Sequence, residues 1–340
     1  VSTYFLYGGP DNIRNLIRYV QAEVVGADVA YDPPHETRWE GIYHPDVGAV
    51  FDDPDAYLAW YPSRHPVRVG ILFSRTHWVN GDLAVEDALI RELEKNYDVL
   101  PVFCFGVSDK EIGARSDCEV IETFFMDRID ALIDARTFTP PRDGDACTGA
   151  LVKLGVPVFH PLILYHRTEA EWRADTEGMR GSDVSWYVAL PEFLGAIEMV
   201  PIGAAESREQ AGTEGERHVP IAGRVEKFVC RVRKWIDLAA KPASERRVAF
   251  ILHNKPCASV EATVGAGAHL DTLESVARIL EAMRGRGYAV ECPGSGKALI
   301  ETIMERKAVS DFRWTSVAEI VSRGGALALV EPGEYAAWFE

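Results

Sequence analysis

The sequence predicts an α/β protein of two doubly wound, mostly parallel-sheet lobes, with a linking helix and an N-terminal cap region. Three observations predict it. An apolar strand at 67–73, an amphipathic helix at 83–95 and a second strand at 99–105 follow one another, as in a parallel βαβ unit with a right-handed crossover. A similar succession returns at 246–254, 271–283 and 288–291. Between the two lie a polar loop at 205–219 and a helix from Val225 to Leu238. The boundaries that follow are a cap at 1–66, a first lobe at 67–204, a linker and helix at 205–244, and a second lobe, complete or truncated, at 245–340.

Each element has its own signal. Ile13, Leu16, Ile17 and Val20 share one helical face over 10–23, with Asp11 or Asn12 as cap. Residues 31–66 are rich in Pro, Asp, Tyr and Trp and read as packed irregular chain. Asn80-Gly81-Asp82 turns the chain into a helix whose apolar face is Val85, Ala88, Leu89 and Leu93. Ile121 to Asp134 carries an apolar face, a helix ends at Ala150–Leu154, and Val156–Leu164 reads as a strand. In the second lobe Asp271 and Glu274 are spaced as a capping box, and Gly285 and Gly287 stop the helix. Helices near 297–307 and 315–323 and a strand at 326–330 continue the alternation.

Composition narrows the function classes. The 340 residues are 47% hydrophobic, enough for a substantial core, and the net charge of −16 argues against nucleic-acid binding. No apolar run is long enough for a membrane span. The six cysteines form no CxxC pair and read as reduced thiols. With no leader at Val1, a cytoplasmic location is expected. The start on Val and the end on "EPGEYAAWFE" set the expectation of a piece cut from a longer polypeptide.

Ligands of open parallel sheets sit beyond the carboxyl ends of the strands. "SRTHW" (74–78) and "HNKP" (253–256) both fall there. "CPGSGKAL" (292–299) has the context of a phosphate loop but not its residues: Glu291 stands where Gly is needed, and Ala298 where Ser or Thr would hold magnesium. "GAGAHLD" (265–271) places Leu270 at the third glycine of a dinucleotide fingerprint, too far past its strand. No zinc spacing and no GxSxG elbow occurs. The candidate ligand-binding residues are therefore Arg75, His77 and Asn80 from the first lobe, and His253, Asn254, Lys255 and His269 from the second. Glu192 in "YVALPEFLG" is a further candidate. A cation beside an aromatic suits a flat, acidic, conjugated ligand.

"WEGIYHP" (39–45), "VGILFSRTHWVNGDLAVEDALIRELE" (69–94), "LGVPVFHPLIL" (154–164), "EAEW" (169–172), "VALPEFLGAIE" (188–198), "ERRVAFILHNKP" (245–256) and "GAGAHLDTLESVARILEAMRGRGYAV" (265–290) occur in this order. The chain resembles, over most of its length, an early-middle segment of the large subunit of CobN-type cobaltochelatases and magnesium chelatase H subunits. "HNKP" with "GAGAHLDTLESV" is more similar to the cobalt branch. The resemblance implies a tetrapyrrole-binding subunit, cobalt or magnesium as the metal, and AAA+ ATPase partner subunits that hold ATP with magnesium. No cofactor is expected on this segment itself. The family's later His-Gly-x-x-Glu motif has no counterpart here, since no His-Gly pair occurs. The segment is therefore expected to be unable to insert metal alone. Two other readings stand beside it: a non-catalytic scaffold docking the AAA+ subunits, and a two-lobed small-molecule binding protein.

Overall fold

The computed structural model describes residues 1–136, 144–179, 181–206, 217–253, 265, 267, 269–305, 316–322, 324, 326 and 328–338. The chain divides into two units, Val1–Asp237 and Leu238–Glu340.

In the first unit, α1 (Ser2–Tyr7) leads through Gly8 and Gly9, both at positive φ, into α2 (Pro10–Glu23). Pro10 opens α2 where a missing N–H costs nothing. The irregular segment that follows holds a short strand, β1 (Glu40–Ile42), and α3 (Pro54–Trp60). The Asp53 carboxylate caps α3 by accepting from the Asp55 and Ala56 amides. Next come β2 (Arg68–Ser74), α4 (Arg75–Asn80), α5 (Ala84–Leu93) and β3 (Asp98–Cys104). β2 and β3 pair in parallel over their whole length, as the βαβ pattern predicts.

The segment 121–134 is not one element. Ile121–Phe125 is a wide helical turn that extends α6 (Asp117–Val120), and β4 (Ala131–Asp134) follows. After α7 (Gly144–Leu154), the single strand expected at 156–164 is two: β5 (Val158–Phe159) and β6 (Leu162–Thr168). Pro161 has no N–H for a ladder, so the chain changes sheets there. The His160 and Leu162 amides bond instead to the carbonyls of Ile197 and Val200, at 3.0 and 2.9 Å. β1-β3-β2-β4-β5 form one sheet, parallel except for β1 at its edge. The chain runs out from β2 to β3 and crosses back to β4, which puts the topological switch point between β2 and β4.

α8 (Glu169–Ala174), α9 (Gly181–Val184) and α10 (Leu190–Phe193) lead to β7 (Pro201–Ala205) and β8 (His218–Pro220). β6-β7-β8 form a second, three-stranded sheet. Two edge strands, β1 and β8, thus come from outside residues 67–204. α11 (Arg224–Ala240) closes the unit and buries Val225, Phe228, Val229, Val232 and Ile236 in the main core. That core is built on Phe73, Phe103, Phe124, Phe125 and Phe159, each essentially buried. Burying such a side chain is worth roughly 1.5–3 kcal/mol.

In the second unit the described residues form α12 (Thr272–Gly285), α13 (Gly296–Glu305), α14 (Val317–Ser322) and α15 (Pro332–Ala337). The helices fall near their predicted places. No strand is present among the described residues of this unit, so the described parts of those expected at 246–254, 288–291 and 326–330 are not strands. A parallel strand needs a hydrogen-bonded neighbour and cover on both faces. Val248, Phe250 and Ile251 are instead 53%, 39% and 94% exposed. The capping box is half formed. Asp271 accepts the Glu274 amide at 3.0 Å, but the Glu274 carboxylate reaches the Gly296 amide at 2.8 Å. No described helix is long and apolar enough to cross a membrane.

Candidate functional site

β2 ends at Ser74, whose hydroxyl accepts the Thr76 amide and starts α4. The helix lasts six residues and stops at Gly81, which is left-handed with φ 68°. So short a helix places Arg75 and His77 immediately beyond the carboxyl end of the strand, as the sequence predicts. Their partners differ. Arg75 is buried, stacks on Trp39 at 4.3 Å, and donates to the carbonyls of Arg38 and Tyr7 at 2.6 and 2.7 Å and to the Thr37 hydroxyl. It ties the N-terminal segment to the sheet.

His77 is buried in a polar cluster between the two sheets. Its Nδ1 lies 2.5 Å from Glu86 Oε1 on α5, and its Nε2 lies 3.0 Å from the Tyr165 hydroxyl on β6. Burial works against a charged imidazole, but the Glu86 hydrogen bond and charge, with Asp82, hold the His77 pKa above its ordinary value. A second pair lies alongside. His218 Nδ1 is 2.5 Å from Asp82 Oδ2, and its Nε2 is 3.3 Å from the Tyr165 carbonyl. The ring is thus held between a carboxylate on the α4–α5 turn and a β6 carbonyl. Against the penalty of burial, the bonds from His218 hold the Asp82 carboxyl below its ordinary range. The two imidazoles stack at 6.1 Å and 24°. Glu86 Oε2 is buried with no hydrogen-bond partner among the described residues.

Asn80 is exposed at the end of α4, and Glu192 is exposed on α10. In the second unit His253 is exposed, and its carbonyl accepts the Gly265 amide at 2.9 Å. His269 is exposed at φ 58° in a turn. Asn254 and Lys255 lie outside the described residues. The α13 N-terminus, which has the context but not the residues of a phosphate loop, already holds the Glu274 carboxylate.

Sequence reasoning missed Glu86, Asp82, Tyr165 and His218. One signal was available: Glu86 lies within the apolar face of α5, between Val85 and Leu89, where a charge demands a partner. It also missed a buried cluster at the carboxyl ends of β3 and β4. Arg136 binds Asp134 through Nε and Nη2, at 2.9 and 2.7 Å, and Asp117 through Nη1 at 2.5 Å. Burial lowers the His160 pKa, favouring the neutral ring, and pushes the nearby Cys104 thiol up to about 12. The cavity lined by Asp117, Asp134, Arg136 and His160 is about 20 Å³, room for a water. Its ion pairs are internally satisfied, so it braces the switch point and is far too small for a macrocycle. No group of three His, Cys, Asp or Glu residues among the described ones is placed to hold a metal ion.

A family model for CobN/Magnesium Chelatase matches residues 2–340. The chain is 38% identical to an uncharacterized protein of Methanocaldococcus jannaschii, over 99% of this chain and 27% of that protein. It is 30% identical to the chloroplastic magnesium-chelatase subunit ChlH of Oryza sativa subsp. indica, over 89% of this chain and 23% of that protein. It is 29% identical to the aerobic cobaltochelatase subunit CobN of a Sinorhizobium species, over 88% and 24%. Its fold is similar to that of the catalytic subunit of cobaltochelatase from Mycobacterium tuberculosis, with a TM-score of 0.59, 24% identity, and coverage of 89% of this chain and 24% of that one. The chain thus spans about a quarter of the length of these relatives.

Proposed function

We propose, from the premise that this chain belongs to the CobN/magnesium chelatase family, that it is part of the tetrapyrrole-binding large subunit of an ATP-dependent metal chelatase. The observation that carries the reading is the match of the family model to nearly the whole chain. On this reading metal and macrocycle are substrates, ATP is hydrolysed on separate AAA+ subunits, and the protein works in the cytoplasm. Cobalt into a corrin precursor is favoured over magnesium into protoporphyrin by "HNKP" with "GAGAHLDTLESV". The segment is not competent alone, since the carboxylate of the family's later motif is absent from it. Removing pyrrole protons calls for a base near the macrocycle, and peripheral carboxylates or amides call for donors. His77, Asn80 and Glu192 of the first unit, and His253, Asn254, Lys255 and His269 of the second, are side chains of these types.

Absorbance titration of the intact large subunit with hydrogenobyrinate diamide and with protoporphyrin tests the reading. Binding at micromolar concentration or tighter is expected, weakened in His77→Ala. Failure of the full-length protein and its ATPase partners to insert either metal into any tetrapyrrole would sink it. One observation favours the scaffold reading: the buried Arg75 donates from Nε and Nη2 to groups of the N-terminal segment, within the protein. A large subunit that assembles with its ATPase partners, and whose pigment binding survives deletion of this segment, would establish that role.

A further inference from the structure

Glu86, His77 and Tyr165 form a continuous line of hydrogen bonds that runs from a buried carboxylate toward the surface. Glu86 and His77 are buried, whereas Tyr165 is half-buried. The spacing is 2.5 Å from Glu86 Oε1 to His77 Nδ1 and 3.0 Å from His77 Nε2 to the Tyr165 oxygen. Glu86 orients the ring by accepting from Nδ1, which leaves Nε2 to exchange a proton with the phenol. The outer end of the line meets a segment that leaves large apolar side chains in water. The Tyr187 ring lies parallel to Tyr165 at 6.3 Å, and the same 181–193 segment leaves Val184, Trp186 and Phe193 41%, 51% and 86% exposed. Exposed aromatics grouped beside a polar relay mark a binding face.

We propose that Tyr165 is a proton-accepting contact for a flat conjugated ligand that bears a weakly acidic N–H and lies against the Val184–Phe193 segment. The inference rests on the reading above, in which that ligand is the tetrapyrrole. The ligand N–H bond breaks and its electron pair stays on nitrogen. That proton goes to the Tyr165 oxygen while the Tyr165 proton passes to His77 Nε2. The imidazolium formed is paired with Glu86, and the deprotonated nitrogen is left to meet the metal cation. His77 and Glu86 position the phenol and hold the charge, so neither needs to touch the ligand.

The relay works with neutral His77, so metal insertion is lost as pH falls through the His77 pKa, which stands above its ordinary value. The groups facing His77 are Glu86 on α5, Asp82 before it, Tyr165 on β6 and the His218 ring on β8. Glu86→Gln removes the main influence holding the His77 pKa up, so the acid limb moves to lower pH.

The test uses the full-length large subunit with its ATPase partners, and measures macrocycle Kd and single-turnover metal insertion against pH. Tyr165→Phe keeps the ring and its stacking. It is expected to leave Kd within about twofold and to slow insertion about 100-fold, the lower end of what a proton-transfer group contributes. If Tyr165→Phe does not fold, 3,5-difluorotyrosine at 165 keeps the hydroxyl and the shape. The relay then predicts an altered insertion rate and pH profile. An insertion rate and pH profile unchanged in these variants, with macrocycle still bound, overturns the relay and leaves the family reading standing. Weakened binding with unchanged turnover of the bound macrocycle also overturns it, by assigning Tyr165 to binding. A wild-type protein that binds no macrocycle overturns both.

Discussion

Asp98 shows how much one side chain can organise. It is buried at the start of β3 and accepts the Ser63 hydroxyl at 2.6 Å and the Arg64 and His65 amides at 2.9 and 3.1 Å. Burial pushes its carboxyl up, but these bonds and Arg68 outweigh it, so its pKa lies below the ordinary value. A depressed folded pKa contributes stability above the unfolded value, about pH 4, that is lost as pH falls toward the folded one. Asp98→Ala strands three donors and is expected to cost about 2–4 kcal/mol at pH 7 by urea denaturation, with the gap to wild type narrowing below pH 4. Gly70 makes a steric demand of the opposite kind. A Cβ there would lie 2.8 Å from Ile129 Cδ1 and 2.9 Å from the Phe125 ring. Gly70→Ala is expected to lose about 1–3 kcal/mol by overpacking, read as a lower urea midpoint at unchanged slope.

At the scale of elements, the amphipathic helices were legible because one face of each is decided by the core. α2, α5, α11 and α12 lie within a few residues of their predicted spans. Strands were legible where a long apolar run pairs on both sides, as in β2 and β3. They were not legible at β1 or β8, which are three residues each and exist because an edge was open to them. The exchange of sheets at His160-Pro161 carried a local sign, the proline, but its destination depends on Ile197 and Val200 far along the chain. Glu274 illustrates the same limit. Its spacing from Asp271 suits a local cap, and a second helix takes it instead. A Cβ on Gly296 would lie 2.5 Å from the Glu274 amide nitrogen. Gly296→Ala is therefore expected to separate α12 from α13, seen as faster amide exchange across both helices, while the first unit is unaffected.

At the scale of the molecule, Val1–Asp237 has its own aromatic core, two sheets and a closing helix. Residues 1–237 expressed alone are expected to unfold in one cooperative transition, with fluorescence and circular dichroism midpoints coinciding. Non-coincident midpoints would show that the first unit depends on the rest of the protein. The sequence by itself determined the α/β class, the first βαβ unit, the helical faces and the family, because periodicity and ordered motifs are local properties that survive without neighbours. It placed Arg75 and His77 at a strand tip for the same reason. Only the tertiary structure decided what those tips do. Arg75 is consumed by the N-terminal segment, and His77 meets a phenol 88 positions away and a carboxylate on the next helix. Hydrogen-bond partners separated by that much chain are selected by the packing of sheets, which no local pattern encodes.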